Sequence, residues 1–379
     1  MRQGVAALLL AAFVTACSAG GGGDTGASPP SCAAPADAGV PLAIRLPARP
    51  TSEPAPICSL VSYRSVLATA AWGAMPKQLR AADPDVQVWQ ERSLLYSCQR
   101  CDAAAFRLTW VREHHPEWIL RTAYGAEIHP DEHPGWVLLD FGDAGYQGAW
   151  SLRIQQSLTD GGWTGVDVAD AGNEPEWSGT PVDPRTGTEL EPDDRATYLA
   201  QALSLVHAAM RTQGFFLLAQ NGPPTIVEPA QINSADALTT GTGFARLRGA
   251  AWTSLLRYYL QVQLERGATF VFETGPDPGE RRDVYGLAAY LLVATPQGAY
   301  GLAPGTAVAP LYDLDLGDPD PDVLAEQVGE AWRRTYPDGA VAVNPSDLPT
   351  ELSLGAAGTI TLPPGGAAIA VGGRLVTSY

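Results

Sequence analysis

Acidic and amide side chains recur at the ends of apolar segments in the middle of this chain. Burying a carboxylate is costly unless it is paired or hydrogen-bonded, so acids in such places usually have a specific role. Two convergent carboxylates can cleave a glycosidic bond, because one protonates the leaving oxygen while the other attacks the sugar or activates water. The candidate catalytic acids are Asp140, Asp167, Asp170 and Glu273, and the candidate groups for binding sugar hydroxyls are Asn173, Glu174, Gln220 and Asn221.

Strand periodicity separates two of these acids. Along a regular strand Asp170 shares a face with Val168, whereas Asp167 lies on the opposite face, so only one of the two acids points into a barrel. Asp170 comes later, nearer the end of the strand, where the catalytic groups of barrel enzymes lie. We therefore expect Asp170 to be the nucleophile or base, with Glu273 or Asp140 as the acid.

Each candidate also has a structural interpretation, which the sequence alone leaves open. The alternatives are a turn with Gly142 for Asp140, a buried hydrogen-bonded acid for Asp167, a helix cap or surface loop for Asp170, an Asn-Gly turn for Asn221 and an ion pair with Arg281 or Arg282 for Glu273.

The sequence offers little for other kinds of catalysis. Four of the five histidines lie between residues 114 and 133, and His129 and His133 have the spacing of metal ligands on a helix. Pro130 and Pro134 argue against a helix there, so we expect no metal. No G-x-S-x-G elbow is present, and no glycine-rich phosphate loop lies in a βα context. We predict no cofactor.

The elements that must position the acids alternate between strand-like and helix-like segments, which is the pattern of βα units around a parallel sheet. About eight strands fit a (β/α)8 TIM barrel, an α/β fold that typically takes about 250 residues. The predicted strands are Ile57–Tyr63, Val86–Arg92, Trp118–Thr122, Trp136–Phe141, Gly165–Ala169, Phe215–Ala219, Ala237–Thr240 and Thr269–Glu273, and the predicted helices are Ala149–Thr159, Asp193–Gln213, Phe244–Arg266 and Val284–Ala294.

The first residues favour export. The apolar run Val5–Ala16 is too short to span a bilayer, which needs roughly 20 residues. Its end, Val14-Thr15-Ala16-Cys17, resembles the bacterial lipobox, so we expect 1–16 to be a lipoprotein signal peptide and Cys17 to carry a lipid. An ordinary cleaved signal with an incidental cysteine is the alternative. Ser18, rather than Asp, follows the cysteine, and by resemblance to lipoprotein sorting rules this favours the outer membrane.

The other boundaries follow from composition. Residues 17–56 are rich in Gly and Pro and predict a flexible tether. We assign 57–336 to the barrel and 337–379 to a small antiparallel β unit, in which Gly and Pro turns separate short apolar strands.

Net charge limits the partners. The formal net charge is −17, and Lys and Arg form no long run. Nucleic-acid binding is excluded on this basis, because phosphate contacts need clustered cations. The acidity fits a soluble, secreted protein.

The cysteines fit an oxidising compartment. With Cys17 assigned to lipid, four cysteines remain, an even number that predicts disulfides. Three pairings are possible, and we favour Cys32 with Cys58 and Cys98 with Cys101. The last two have the spacing of a redox motif, but no thioredoxin-like context surrounds them, so we favour a structural bridge over redox chemistry.

An ordered succession of motifs from about residue 60 to the C-terminus resembles a known family. The motifs are His115–Arg121, Tyr124-Gly125, Trp136–Asp140, Gly162–Asp170 and Tyr336–Pro345. They are similar to those of the largely uncharacterised glycoside-hydrolase-like TIM-barrel proteins. The resemblance implies a barrel that hydrolyses O-glycosyl bonds and has a carbohydrate as its partner.

Two departures from the family keep a second hypothesis open. Thr164 stands where the family has its first acid, and Thr240–Gly243 lacks the glutamate that relatives often present there. The first hypothesis is a glycoside hydrolase acting on an extracytoplasmic poly- or oligosaccharide. The second is a non-catalytic carbohydrate-binding surface lipoprotein on a degenerate TIM barrel. Two carboxylates within about 10 Å of each other at the barrel mouth would favour the enzyme.

Overall fold

The computed structural model describes residues 32, 39–46, 48, 57–131, 133–171, 177–221, 235–240, 247–266, 269–273, 280–296, 298–302 and 310–378. The strands are β1 (Leu42–Arg45), β2 (Ser65–Ala68), β3 (Gln87–Arg92), β4 (Tyr96–Cys98), β5 (Trp136–Leu138), β6 (Gly165–Val168), β7 (Phe216–Asn221), β8 (Ala237–Thr240), β9 (Thr269–Glu273), β10 (Ala299–Leu302), β11 (Glu326–Val328), β12 (Ala331–Tyr336), β13 (Gly339–Val343), β14 (Thr350–Ser353), β15 (Thr359–Leu362), β16 (Ala367–Val371) and β17 (Arg374–Ser378). The helices are α1 (Ile57–Leu60), α2 (Met75–Ala82), α3 (Leu108–His114), α4 (Ala144–Gly161), α5 (Pro192–Thr212), α6 (Gly249–Arg266) and α7 (Glu280–Val293).

Eight parallel strands pair into a closed barrel in the order β1-β10-β9-β8-β7-β6-β3-β2. A separate apolar cluster fills its interior, formed by Ala43, Leu67, Trp89, Leu218 and Ala299. Because side chains alternate along a strand, the other face of each strand packs outward against the helices. The predicted α/β class is confirmed.

Helix α4 shows how the local sequence specifies these outer elements. Asp143 caps its first turn, since the carboxylate accepts from the backbone N–H of Tyr146 at 2.7 Å. Trp150, Ile154 and Leu158, which lie four residues apart on one face of the helix, are fully buried. Gly162 ends the helix in the left-handed conformation, with φ 74°.

Three of the predicted barrel strands are wrong. Residues 57–60 form helix α1, and residues 116–118 form a 3₁₀ turn in front of isolated bridges. Strand β5 is real, but it pairs antiparallel with β4 outside the barrel. The missing places in the ring are taken by β1, β2 and β10, each of only four residues. A strand that short, buried on both faces, gives no period that distinguishes it from a loop.

The predicted tether is wrong over its last part. Strand β1 lies within 17–56 and pairs with both β10 and β2, so it belongs to the barrel. The signal segment 1–16, Cys17 and most of the predicted tether lie outside the described residues. Over the part of the chain that is described, no helix is long and apolar enough to cross a membrane.

Both favoured disulfides are present. Cys32 is bonded to Cys58, so a covalent loop encloses β1. Cys98, at the end of β4, is bonded to Cys101.

An antiparallel sheet follows the barrel, in the order β11-β12-β13-β16-β17. It starts at Glu326, so the predicted boundary at 337 is too late by two strands, β11 and β12, which belong to the sheet. One face carries small side chains under the hairpin β14-β15, while Val341, Val343 and Ile369 on the other face join the main core. The sheet therefore packs between its own hairpin and helix α7.

A buried arginine links this sheet to the barrel. Arg334 is 1% exposed and donates to the carbonyl oxygens of Ala294 at 2.7 Å, Val323 at 2.8 Å and Asp320 at 3.0 Å. Ala294 directly follows α7, whose last carbonyls have no partner within the helix and carry its negative dipole end. Tyr336 donates to the carbonyl of Leu291 in the same turn.

Replacing Arg334 with Met should lower the free energy of unfolding by about 3 kcal/mol, because several buried carbonyls lose their donor. Denaturant unfolding of the purified chain measures this difference. The matched control is Arg333→Met, whose partner Glu326 is exposed and whose cost should stay below about 1 kcal/mol. Equal losses of unfolding free energy in the two variants would contradict the role assigned to Arg334 in linking the sheet to the barrel.

Candidate functional site

Three charged side chains from distant parts of the chain meet at the carboxyl end of the barrel. Arg45 is the last residue of β1 and donates from one Nη to Glu91 on β3 and from the other to Asp167 on β6, the second at 3.0 Å. Glu91 and Asp167 are register partners on adjacent strands, whose backbones lie about 4.8 Å apart. Two carboxylates therefore converge on one guanidinium at the barrel mouth.

The period of the strands explains why these side chains share the interior. Ala43 and Trp89 lie two positions before Arg45 and Glu91, on the same face of β1 and β3. Both belong to the apolar cluster inside the barrel. The charged residues thus form the next layer above that cluster, toward the end where barrel enzymes carry their catalytic groups. An ionic layer in that place is costly unless its charges are paired, as they are here.

Exposure separates the roles of the three groups. The side chain of Asp167 is fully buried, whereas those of Arg45 and Glu91 are 21% and 23% exposed. A molecule that enters the mouth can therefore touch Glu91 and Arg45 but not Asp167. Asp167 acts on the site through Arg45, as its buried counterion.

Asp170 has a different role, because its carboxylate holds the turn that follows β3. Its carboxylate accepts from the hydroxyl of Ser93 and from the backbone N–H groups of Leu94 and Leu95, both at 2.9 Å. Burial raises the pKa of Asp170, and these hydrogen bonds oppose the rise. The preference for Asp170 over Asp167 as the acid inside the barrel is wrong. Asp170 lies past the end of β6, where strand alternation no longer applies, and its two oxygens are used by this turn.

Asp140 also belongs to a structural cluster. It is 4% exposed, lies 3.1 Å from Nη1 of Arg185 and accepts from the backbone N–H of Gly142 at 3.2 Å. Arg185 also pairs with Asp183 at 2.7 Å. Burial raises the pKa of Asp140, and Arg185 opposes the rise. Asp140 follows β5, outside the ring of strands, so it joins the turn with Gly142 and not the Arg45 cluster.

The remaining candidates are located by their backbone positions. Glu273 is the last residue of β9 and pairs in register with Gly301. Strand β9 lies four places from β3 in either direction around the ring, so Glu273 and Glu91 end opposite strands. Gln220 and Asn221 end β7 at the same rim. Asn173 and Glu174 lie outside the described residues.

The histidines between 114 and 133 support the loops around the barrel. Nδ1 of His129 lies 2.6 Å from the carbonyl oxygen of Trp136, and the ring of His133 stacks on the ring of Trp136 at 5.0 Å. In the described ranges no three His, Cys, Asp or Glu side chains form a group that could hold a metal ion.

Sequence reasoning missed Arg45 and Glu91. Glu91 had a readable signal, because it follows Gln87 and Trp89 at a spacing of two within a correctly predicted strand. Arg45 had none, since β1 is short and lies in a segment whose composition predicts a tether.

A cavity of about 260 Å³ lies at the opposite, amino end of the barrel. Arg64, Tyr290, Thr295 and Asp315 are among the residues that line it, and none of the candidate acids does. Enzymes with this architecture place their chemistry at the carboxyl end, so the charged cluster and not this cavity is the candidate site.

Glycoside hydrolases are among the solved structures that are similar to this chain. The glycoside hydrolase domain of PelA from Pseudomonas aeruginosa is 16% identical, over 72% of this chain and 96% of that chain, with a TM-score of 0.46. The maltogenic α-amylase AmyB from Thermotoga neapolitana is 10% identical, over 89% and 98%, with a TM-score of 0.50. The α-galactosidase AgaA from Geobacillus stearothermophilus is 10% identical, over 83% and 49%, with a TM-score of 0.51. At such low identities, the similarity to the last two shows a shared fold and nothing about activity.

A family model extends this result to the sequence. No curated protein matches the chain. The model described as hypothetical glycosyl hydrolase family 15 matches residues 96–340, a segment that contains Asp167 and Glu273 and begins after Glu91. Because this match covers more than half of the residues, the chain belongs to hypothetical glycosyl hydrolase family 15.

Proposed function

We propose that this chain is a glycoside hydrolase with (β/α)8 architecture that cleaves a poly- or oligosaccharide outside the cytoplasm. The observation that carries the proposal is the partly exposed carboxylate of Glu91, which Arg45 holds beside the buried Asp167 at the mouth of the barrel. Membership of a glycosyl hydrolase family supports the same reaction class.

The exposure of each acid assigns its role in this proposal. Glu91 is the carboxylate that meets the sugar, because it is partly exposed at the mouth and is held there by the guanidinium of Arg45. An ionised carboxylate serves as nucleophile or base. Glu273, which ends the strand opposite β3, is the proposed general acid that protonates the leaving oxygen. Gln220 and Asn221, at the same rim, are the proposed ligands of sugar hydroxyls.

The alternative is a carbohydrate-binding protein that has lost its catalysis. Thr164 favours this alternative, because it replaces an acid of the family and its hydroxyl accepts from the backbone N–H of Val88 at 3.0 Å, a structural role. The partly exposed carboxylate of Glu91 at the barrel mouth favours the enzyme, together with Glu273, which ends the opposite strand of the ring.

Glu91→Gln should lower kcat by about 10³-fold on any saccharide that the protein cleaves, because the amide cannot act as nucleophile or base. A screen of polysaccharides with the soluble chain that starts at residue 18, and so keeps β1, identifies the substrate. The matched control is Asp170→Asn, which keeps an acceptor oxygen for the turn after β3 and should retain most of the activity. The assignment fails if Asp170→Asn is inactive while folded and Glu91→Gln is active.

We further propose that the protein is an exported lipoprotein held at the outer membrane through Cys17. The apolar run before Cys17 and the presence of two disulfides, which persist in oxidising compartments, support this location. The residues between Cys17 and β1 would then hold the barrel away from the membrane surface.

Cys17→Ser should abolish incorporation of labelled fatty acid and move the protein from the membrane fraction to the soluble fraction, because no thiol remains to take the lipid. The matched control is Ser18→Asp, which keeps the thiol. It should keep the label but shift the protein to the inner membrane. Unchanged labelling of Cys17→Ser would refute the lipid anchor.

A further inference from the structure

Arg45, a residue of the candidate site, lies at the end of one of the shortest strands of the barrel. Strand β1 has four residues and closes the ring between β10 and β2. Backbone hydrogen bonds hold it on both sides. Tyr300 donates to Pro41, Arg64 donates to Leu42, and Leu46 donates to Leu67, each at 2.8 Å. Strands this short open easily unless other contacts hold them.

A covalent bond constrains the segment that contains β1. The disulfide between Cys32 and Cys58 joins residues 26 apart in sequence, and β1 lies inside the loop that it closes. Cys58 itself lies in helix α1, which belongs to the connection between β1 and β2. The bond limits the conformations open to this loop once β1 has left the ring, so it disfavours that opening.

The position of Glu91 depends on Arg45, which ends β1. It is the register partner of Asp167, and like charges directly opposite each other on adjacent strands repel. The two Nη atoms of Arg45 take one carboxylate each, which removes that repulsion and sets the direction of Glu91. Without Arg45, the exposed member of the pair would turn toward solvent, and the buried Asp167 would lose a cation.

We propose that Arg45 is a positioning residue for Glu91 and that the Cys32–Cys58 disulfide keeps it in place, so that the site is assembled in the oxidised chain and disassembled in the reduced chain. The catalytic part rests on the proposed function, whereas the structural part does not. Forming the bond transfers two electrons and two protons from the two thiols to a disulfide oxidant of the envelope, which leaves as its dithiol. The chain would thus become competent only after export.

Hydrogen exchange on the mature chain tests the structural part without any substrate. In the Cys32→Ser/Cys58→Ser variant, the amides of Leu46 and Tyr300 should exchange about tenfold faster or more, because β1 opens locally. The amide of Ala169, bonded to Arg92 between β3 and β6 at 3.0 Å, should stay protected. The matched control, Cys98→Ser/Cys101→Ser, should leave the β1 amides unchanged. Unchanged protection of β1 in the first variant overturns the proposal.

Kinetics on the saccharide found by the screen test the catalytic part. Arg45→Met should lower kcat by about 10²-fold with little change in KM, and Arg45→Lys, which keeps a cation, should recover part of the loss. The Cys32→Ser/Cys58→Ser variant should share the phenotype of Arg45→Met, and combining the three substitutions should add little. Full activity of Arg45→Met, or fully additive losses, overturns the positioning role.

The two experiments separate the failure of this inference from failure of the proposed function. If the wild type cleaves nothing in the screen, the proposed function fails, and the exchange result still decides whether the disulfide holds β1. Crystal structures of the wild type and Arg45→Met then decide the positioning role. The carboxylate of Glu91 should leave its place in the variant, and an unmoved carboxylate contradicts the inference.

Discussion

The interaction on which this site depends is the fork of Arg45 between two carboxylates inside a barrel. Burying a single unpaired carboxylate, such as that of Asp167, would cost several kcal/mol of folding free energy. Paired with Glu91 around one guanidinium, it becomes tolerable, and the pairing fixes the three strands at their carboxyl ends. The pairing also leaves Glu91 partly exposed, where a molecule in the barrel mouth can reach its carboxylate.

The other buried acids have structural roles. Both carboxylate oxygens of Asp170 accept hydrogen bonds from the turn after β3, and Asp140 pairs with Arg185 beside a turn. Both stabilise the long connection between β3 and β6, which lies beside the candidate site. An acid whose oxygens are already hydrogen-bonded to a supporting loop is poorly suited to attack a sugar. Structural and functional carboxylates are therefore better distinguished here by the hydrogen bonds that their oxygens accept than by their positions along the strand.

The sequence specified the middle of the barrel well. Strands β6 to β9 carry apolar runs long enough to show their period, and their bounds were predicted closely, whereas helix α4 begins five residues before its predicted start. Strand β1 could not be found, because four residues next to prolines look like tether. Its loss from the prediction also hid Arg45, the residue that brings Glu91 and Asp167 together. Contacts between residues so far apart in the chain leave no local pattern.

The central claim is that a saccharide meets Glu91 at the barrel mouth. The most direct measurement is a crystal structure of the Glu91→Gln variant with an uncleaved oligosaccharide bound. We predict that the side chain of residue 91 contacts the sugar ring at the scissile bond and that Arg45 still holds Asp167 beneath it. A saccharide bound beside Asp170 or Asp140, with residue 91 out of reach, would contradict the claim.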